Sequence, residues 1–175
     1  YLFSLLSSPG FIHALVNNAG VGYMTKIAQQ KPNCPDEALL REIVDTNIHG
    51  TVRVTSAFLP LVLAAPAPAS VVFVSSDMAS TTLMASAVGN AQSPLNHLLA
   101  SSYNLSKAAV NSFAVSVATA NPTLKVNCVS PGFTATKLND FGKHGRGAKT
   151  PEQSAARIAE FVQVHEHSPT GKFFG

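Results

Sequence analysis

The amino-acid sequence predicts an α/β fold, a Rossmann-like doubly wound parallel sheet with helices on both faces. Two observations carry this expectation: short β-branched runs recur along the chain, and stretches with helical spacing separate them. A strand covered on both faces reads as a nearly continuous apolar run, whereas a half-exposed strand alternates.

The elements follow in order. Phe11 to Val16 (FIHALV) is the first expected strand, ending at Asn17. From Asp36 to about Leu59, the residues Leu40, Ile43, Val44, Ile48, Val52 and Thr55 recur at the spacing of one helical face, with Pro35 expected in the first turn. AAPAPAS, Ala64 to Ser70, is a loop, and VVFV, Val71 to Val74, is the second strand. A helix from Ser102 to Ala120 is stopped by Asn121 and Pro122, and LKVNCV, Leu124 to Val129, is the third strand. TPEQSAARIAEFV opens with Thr150, Pro151 and Gln153, a capping box with proline at the first helical position. Lys172 to Phe174 closes the series as a fourth strand. Strands alternating with helices, joined by right-handed crossovers, stack into a parallel sheet.

Composition narrows the class. The chain has 175 residues, 46% apolar and 12% charged, which is enough for a single domain spanning 1–175 with its own core. Pro60, Pro66 and Pro68 interrupt the longest apolar region, so no membrane span is expected. No leader is expected from the opening residues, and a cytoplasmic location is the expectation. A formal charge of +3, with scattered basic residues, excludes a nucleic-acid footprint. Cys34 and Cys128 form no motif, and Cys128 is expected as a small core residue. His165 and His167 are two apart and diverge on a helix, so no metal site is expected.

In an open parallel sheet, ligands bind beyond the carboxyl ends of the strands. Asn17, Asn18, Ala19 and Gly20 follow the first strand, Ser75, Ser76 and Asp77 the second, and Ser130, Pro131 and Gly132 the third. All three clusters are therefore expected at one edge. Tyr103 and Lys107 are four apart, on the helical face that continues through Val110, Ala114 and Val117. Burying an unpaired lysine is expensive, so the pair is either wet or working in a cleft. Asn47 also falls on an apolar face, as a satisfied core amide or as the holder of a water beside the ammonium.

With these residues in place, the sequence resembles the short-chain dehydrogenase/reductase family. LVNNAG at 15–20, Asn47 in VDTNIHG, VVFVSS at 71–76, YNLSK at 103–107 and VSPGFTAT at 129–136 carry the resemblance. Among members, the proline-capped late helix and the Gly-Lys-Phe-Phe strand look most like carbonyl reductases that use NADPH. The resemblance implies hydride transfer between NADP(H), rather than NAD(H), and a small carbonyl or secondary alcohol. It casts Tyr103 as general acid or base, with Lys107 lowering the phenol pKa and binding the nicotinamide ribose. Ser76 would orient the substrate oxygen, and Asn47 would hold a water. Asn18, Ala19 and Gly20 would lie along the adenosine half of the cofactor, Pro131, Gly132 and Phe133 at the nicotinamide amide, and Thr136 near the phosphates or amide. Helices 36–59 and 102–120 are those through which members form homo-oligomers.

The family's opening strand, its Thr-Gly-x-x-x-Gly-x-Gly turn and the following helix have no counterpart after Tyr1. The expectation is a piece of a longer protein, without the first βαβ units of the fold. Residues 77–101 form a longer connection than the family usually has, read either as a surface insertion or as a flap. In a flap, Met78, Leu83, Met84 or Leu95 would supply apolar contacts and His97 could touch substrate. GKHGRG, Gly142 to Gly147, with Lys143 and Arg146, is expected to belong to a substrate lid. The same constellation could instead serve a dehydratase, epimerase or isomerase. A truncated, non-catalytic chain kept for association is the third possibility.

Overall fold

In a computed structural model, residues 10–90, 100–142 and 147–175 are described. Leu95, His97, Lys143 and Arg146, with the lid and part of the flap expected there, lie outside the described residues. Four strands form one sheet in the order β1 (Ala14–Asn17), β2 (Ala69–Val74), β3 (Leu124–Val129) and β4 (Lys172–Phe174). Every adjacent pair is parallel, with Leu15 opposite Val71, Val71 opposite Val126 and Cys128 opposite Phe173. All of β2 is buried, as its unbroken apolar run predicts for a central strand. The first strand is shorter than expected, because the chain before it leans on a helix instead: the Ile12 amide donates to Leu61 O at 3.1 Å.

Helix α1 (Glu37–Val44), a π-helical stretch (Asp45–Gly50) and helix α2 (Thr51–Leu63) follow one another without a break. Pro35 is not in the first turn. Asp36 caps α1, its carboxylate accepting from the Leu39 amide at 2.9 Å. The buried stripe also differs from the expected one, since Leu39, Ile43, Asn47, Thr51 and Thr55 face inward at intervals of four. On a helix of 3.6 residues per turn that interval drifts by roughly 40° a step. The wider π turn takes up the drift and keeps Asn47 pointing into the protein.

A short helix α3 (Thr81–Ala85) lies within the expected flap, and helix α4 (Ser101–Ala120) follows it. Helices α2 and α4 cover one sheet face, where Phe73, Val71, Val126 and Cys128 pack with Val62, Val110 and Ala114. Phe73 meets Phe113 edge-on, with centroids 5.8 Å apart. Helix α5 (Pro151–Ala159) begins with the expected capping box: Gln153 N donates to Thr150 Oγ1, and Thr150 N donates to Gln153 Oε1.

The expectation of uniformly right-handed crossovers fails after β3. Phe161 packs on Phe174 at 4.6 Å, and Ser70 Oγ donates to Val162 O, both on the face away from α2 and α4. With strands added in one direction, a crossover on the second face has the opposite hand to its predecessors. This reversal covers both faces of the sheet.

Phe73→Ala is expected to cost about 3–5 kcal/mol in urea unfolding. Val16→Ala, at a position 38% exposed, is expected to cost under about 1 kcal/mol, so equal losses would contradict the layering described here.

Candidate active site

The site forms where β2 ends. Val74 is the last ladder residue, and the next amide, Ser75 N, still donates to Val129 O at 2.8 Å. Ser75 Oγ donates to Asn111 Oδ1 at 2.6 Å, which ties the turn to α4. Ser76 is extended, and its hydroxyl accepts from the Met78 amide at 3.3 Å and faces the Tyr103 phenol, whose ionised form it favours.

Tyr103 and Lys107 lie one turn apart on α4 and are both buried. The Lys107 ammonium donates to Val74 O at 2.8 Å and sits 5.9 Å from the Tyr103 ring centroid. The strand's terminal carbonyl is thus the partner that makes burial of the cation tolerable. The Tyr103 ring packs with Met78 and Ala100, and Met24, Ile27 and Leu138 lie against that cluster.

Asn47 is 1% exposed and engaged on every side. Its Oδ1 accepts from Val21 N at 2.8 Å, and its Nδ2 donates to Val21 O at 2.9 Å and to Ser106 Oγ at 2.8 Å. Ser106 in turn donates to Tyr103 O at 2.8 Å. Of the two readings open from the sequence, the geometry favours the satisfied core amide. That amide ties the chain after β1 to the helix of Tyr103. Sequence reasoning missed Ser106, although its place three residues after Tyr103 puts it on a neighbouring helical face.

Gly20 explains itself by what a side chain would meet. A Cβ there would lie 3.2 Å from Lys107 Nζ and 3.4 Å from Asn47 Oδ1. Asn18 and Ala19 are exposed at the carboxyl end of β1. Gly132, with φ of +80°, turns the chain beyond β3 between the half-buried Pro131 and the 39% exposed Phe133. The Thr136 amide donates to Asn139 Oδ1 at 3.1 Å. The structure therefore brings Ser76, Tyr103, Lys107 and Asn47 together, with the other expected residues at the strand ends nearby. In the flap, Met78 is buried beside Tyr103, while Leu83 is 39% exposed. Among the described residues, no three His, Cys, Asp or Glu side chains gather as a metal site, and no helix is long and apolar enough to cross a membrane.

The expected acidification of Tyr103 by Lys107 is not found. Burial pushes the phenol up to about 12, opposed only by its hydrogen bond with Ser76. Burial likewise brings Lys107 down to about 8, opposed by Cys128. A phenolate deprived of water costs more than a cation committed to a carbonyl gives back.

A family model described as short chain dehydrogenase matches residues 5–146. Benzil reductase ((S)-benzoin forming) from Saccharomyces cerevisiae is 30% identical over 162 residues, covering 91% of this chain and 55% of that protein. (+)-Neomenthol dehydrogenase from Arabidopsis thaliana is 27% identical over 207 residues, covering 94% of this chain and 69% of that protein. The chain thus spans about half the length of the yeast enzyme. Among solved structures, salutaridine reductase from Papaver somniferum superposes with a TM-score of 0.73 at 24% identity, over 99% of this chain and 76% of that one. A short chain dehydrogenase from Escherichia coli CFT073 complexed with NADPH gives 0.75 at 21% identity, over 98% and 65%. At these identities the two structures establish the fold.

The shifted lysine makes stability depend on pH. Its folded value of about 8 lies below the ordinary 10.5, so between those limits the unfolded chain holds more protons and stability rises with pH. Tyr103 and Cys128, both raised to about 12, act in the opposite sense only above their ordinary values of 10.0 and 9.0. Wild-type protein is expected to gain about 1 kcal/mol from this lysine between about pH 7 and pH 9. Lys107→Met should lack that gain, as chemical unfolding at the two pH values would show.

Proposed function

This chain belongs to the short-chain dehydrogenase/reductase family, and on that premise we propose that the whole protein is an NADP(H)-dependent carbonyl reductase. The observation that carries the proposal is the convergence of Ser76, Tyr103 and Lys107 at the end of β2, inside an apolar surround. The residues present fit a dinucleotide at its nicotinamide end. Lys107 has three N–H donors, of which Val74 O takes one, and Gly20 leaves the approach to that ammonium clear of a Cβ. Lys107 would hold the ribose, Pro131, Gly132 and Phe133 the amide, Thr136 the amide or phosphates, and Asn18, Ala19 and Gly20 the adenosine half. The NADP and NADPH complexes among structures of this fold favour the phosphorylated cofactor.

When bound, the nicotinamide supplies the hydride in the reductive direction. The chain's own residues handle the oxygen. Ser76 Oγ, held at the strand end, orients the substrate carbonyl. Tyr103, protonated well above neutrality, gives its phenolic proton to the oxygen as negative charge develops there. Lys107, largely cationic below about pH 8, stabilises the phenolate that results. Carbonyl, hydride and proton together account for the alcohol. Asn47 and Ser106 fix the helix that carries the acid.

Met78, Met24, Ile27 and Leu138, packed around Tyr103, suit an uncharged, apolar ketone, as do the names of the relatives, benzil reductase and neomenthol dehydrogenase. A second copy of the chain is the proposed partner for helices 36–59 and 102–120, where Val54, Leu105 and Val115 are 42%, 61% and 50% exposed.

In the whole protein, Tyr103→Phe is expected to lower turnover of benzil with NADPH by about a hundredfold or more while nucleotide binding persists. Retention of more than about a tenth of the activity would remove Tyr103 from the acid role. Product formed with no net loss of nicotinamide absorbance would favour the dehydratase, epimerase or isomerase reading.

A further inference from the structure

We infer that Gln30 is a positioning residue, capping the helix of Tyr103 from a distance and holding the phenol in register with the chain beyond β1. This rests on the reading of Tyr103 as the acid. Helix α4 starts badly by its own means: its N-cap residue, Ala100, has no side chain able to cap it. The first backbone amide with a helical partner is Asn104 N, which donates to Ala100 O at 2.9 Å, so the amides before it need acceptors from elsewhere.

Gln30, at the end of the 3-10 turn Met24–Gln30, supplies one of them and also holds a first-turn side chain. Its Oε1 accepts from the Tyr103 amide at 3.3 Å, and its backbone carbonyl accepts from Ser101 Oγ at 2.5 Å. Its Nε2 donates to Gly22 O at 2.8 Å and to Tyr23 O at 3.2 Å. The side chain is fully buried, yet both its donor and its acceptor ends are used.

These bonds reach the site from two sides. Gly22 and Tyr23 continue the stretch in which Val21 is held by Asn47, and Tyr23 stands in the left-handed region with φ of 47°. Leu138, which packs against the Tyr103 cluster, also lies against Gly22, where a Cβ would meet its Cδ2 at 2.9 Å. Asn47 and Ser106 grip α4 at the carbonyl of Tyr103, and Gln30 grips it at the amide of the same residue. The peptide groups on both sides of the acid are thus fixed to one short segment after β1.

Gln30→Met keeps the volume and removes all three side-chain hydrogen bonds, whereas Gln30→Glu, measured at mildly acidic pH, keeps an acceptor for the Tyr103 amide. In the whole protein, with NADPH and benzil as probes, Gln30→Met is expected to speed hydrogen exchange at the Tyr103 amide. It should lower kcat about tenfold or more with KM within about threefold, and Gln30→Glu should recover part of that loss. Added to Tyr103→Phe, Gln30→Met should cost less than about threefold more, because the glutamine acts through the tyrosine. Unchanged exchange, kcat retained within about twofold, or a full tenfold loss on top of Tyr103→Phe would each overturn the proposal. Should Tyr103→Phe itself stay active, the acid role fails, while the exchange result still reports on the cap.

Discussion

The structure turns on placing one cation inside the protein. Lys107 is 5% exposed, and its counterpart is a backbone dipole, the carbonyl of Val74 at the end of the central strand. That carbonyl is available because the ladder stops there. The next amide is taken by Val129 O, and the chain turns away through Ser75 and Ser76. A strand end, a helix nearly two turns beyond its start and a glycine opposite must therefore meet in one place. Gly20 satisfies the last requirement, since any side chain would press on the ammonium. A buried charge with one hydrogen-bond partner among the described residues remains expensive, and burial accordingly lowers the proton affinity of Lys107.

Neutral amides do the fastening around this charge. Asn47 and Gln30 are both buried on helical or turn segments, and both spend their hydrogen bonds on backbone groups close to β1 and on α4. An amide is suited to this, because it offers donors and an acceptor without adding a second charge to desolvate. Asn47 reaches its partners only because the π turn rotates it inward, so an irregularity in the backbone serves the same purpose as the side chain it carries.

Much of this was legible in the sequence, for physical reasons that differ by element. The strands announced themselves because burial on both faces demands unbroken apolar runs, and Leu124–Val129 and Lys172–Phe174 fell where expected. Thr150, Pro151 and Gln153 marked the start of α5 because a capping box is a local device. The polar clusters gathered at one edge because parallel strands all end there. What stayed hidden was non-local. Nothing near Gln30 reveals an acceptor for Tyr103, 73 positions away. The π turn leaves no compositional mark, so helical spacing points to the stripe through Leu40, Val44 and Ile48 and not to the one that is buried. The reversal of hand after β3 depends on Phe161 and Val162 finding the second face. Spacing reveals a neighbouring cation but not the loss of water around both groups, which pushes the phenol up to about 12.

That last difference bears on the direction of the chemistry. A phenol near 12 beside an ammonium near 8 is a pair in which the weaker acid keeps its proton throughout the neutral range. Such a tyrosine is prepared to give a proton and poorly prepared to take one. Reduction asks it to give, to an oxygen whose growing charge pulls the proton across. Oxidation of an alcohol would first need the phenolate, made among packed methionine, alanine and leucine side chains that oppose it. On the proposed reading, the apolar surround and a tyrosine that enters the reaction protonated have one cause. If the whole protein reduces a ketone as proposed, the burial that surrounds Tyr103 with apolar side chains also holds its proton in place until a ketone oxygen is there to receive it.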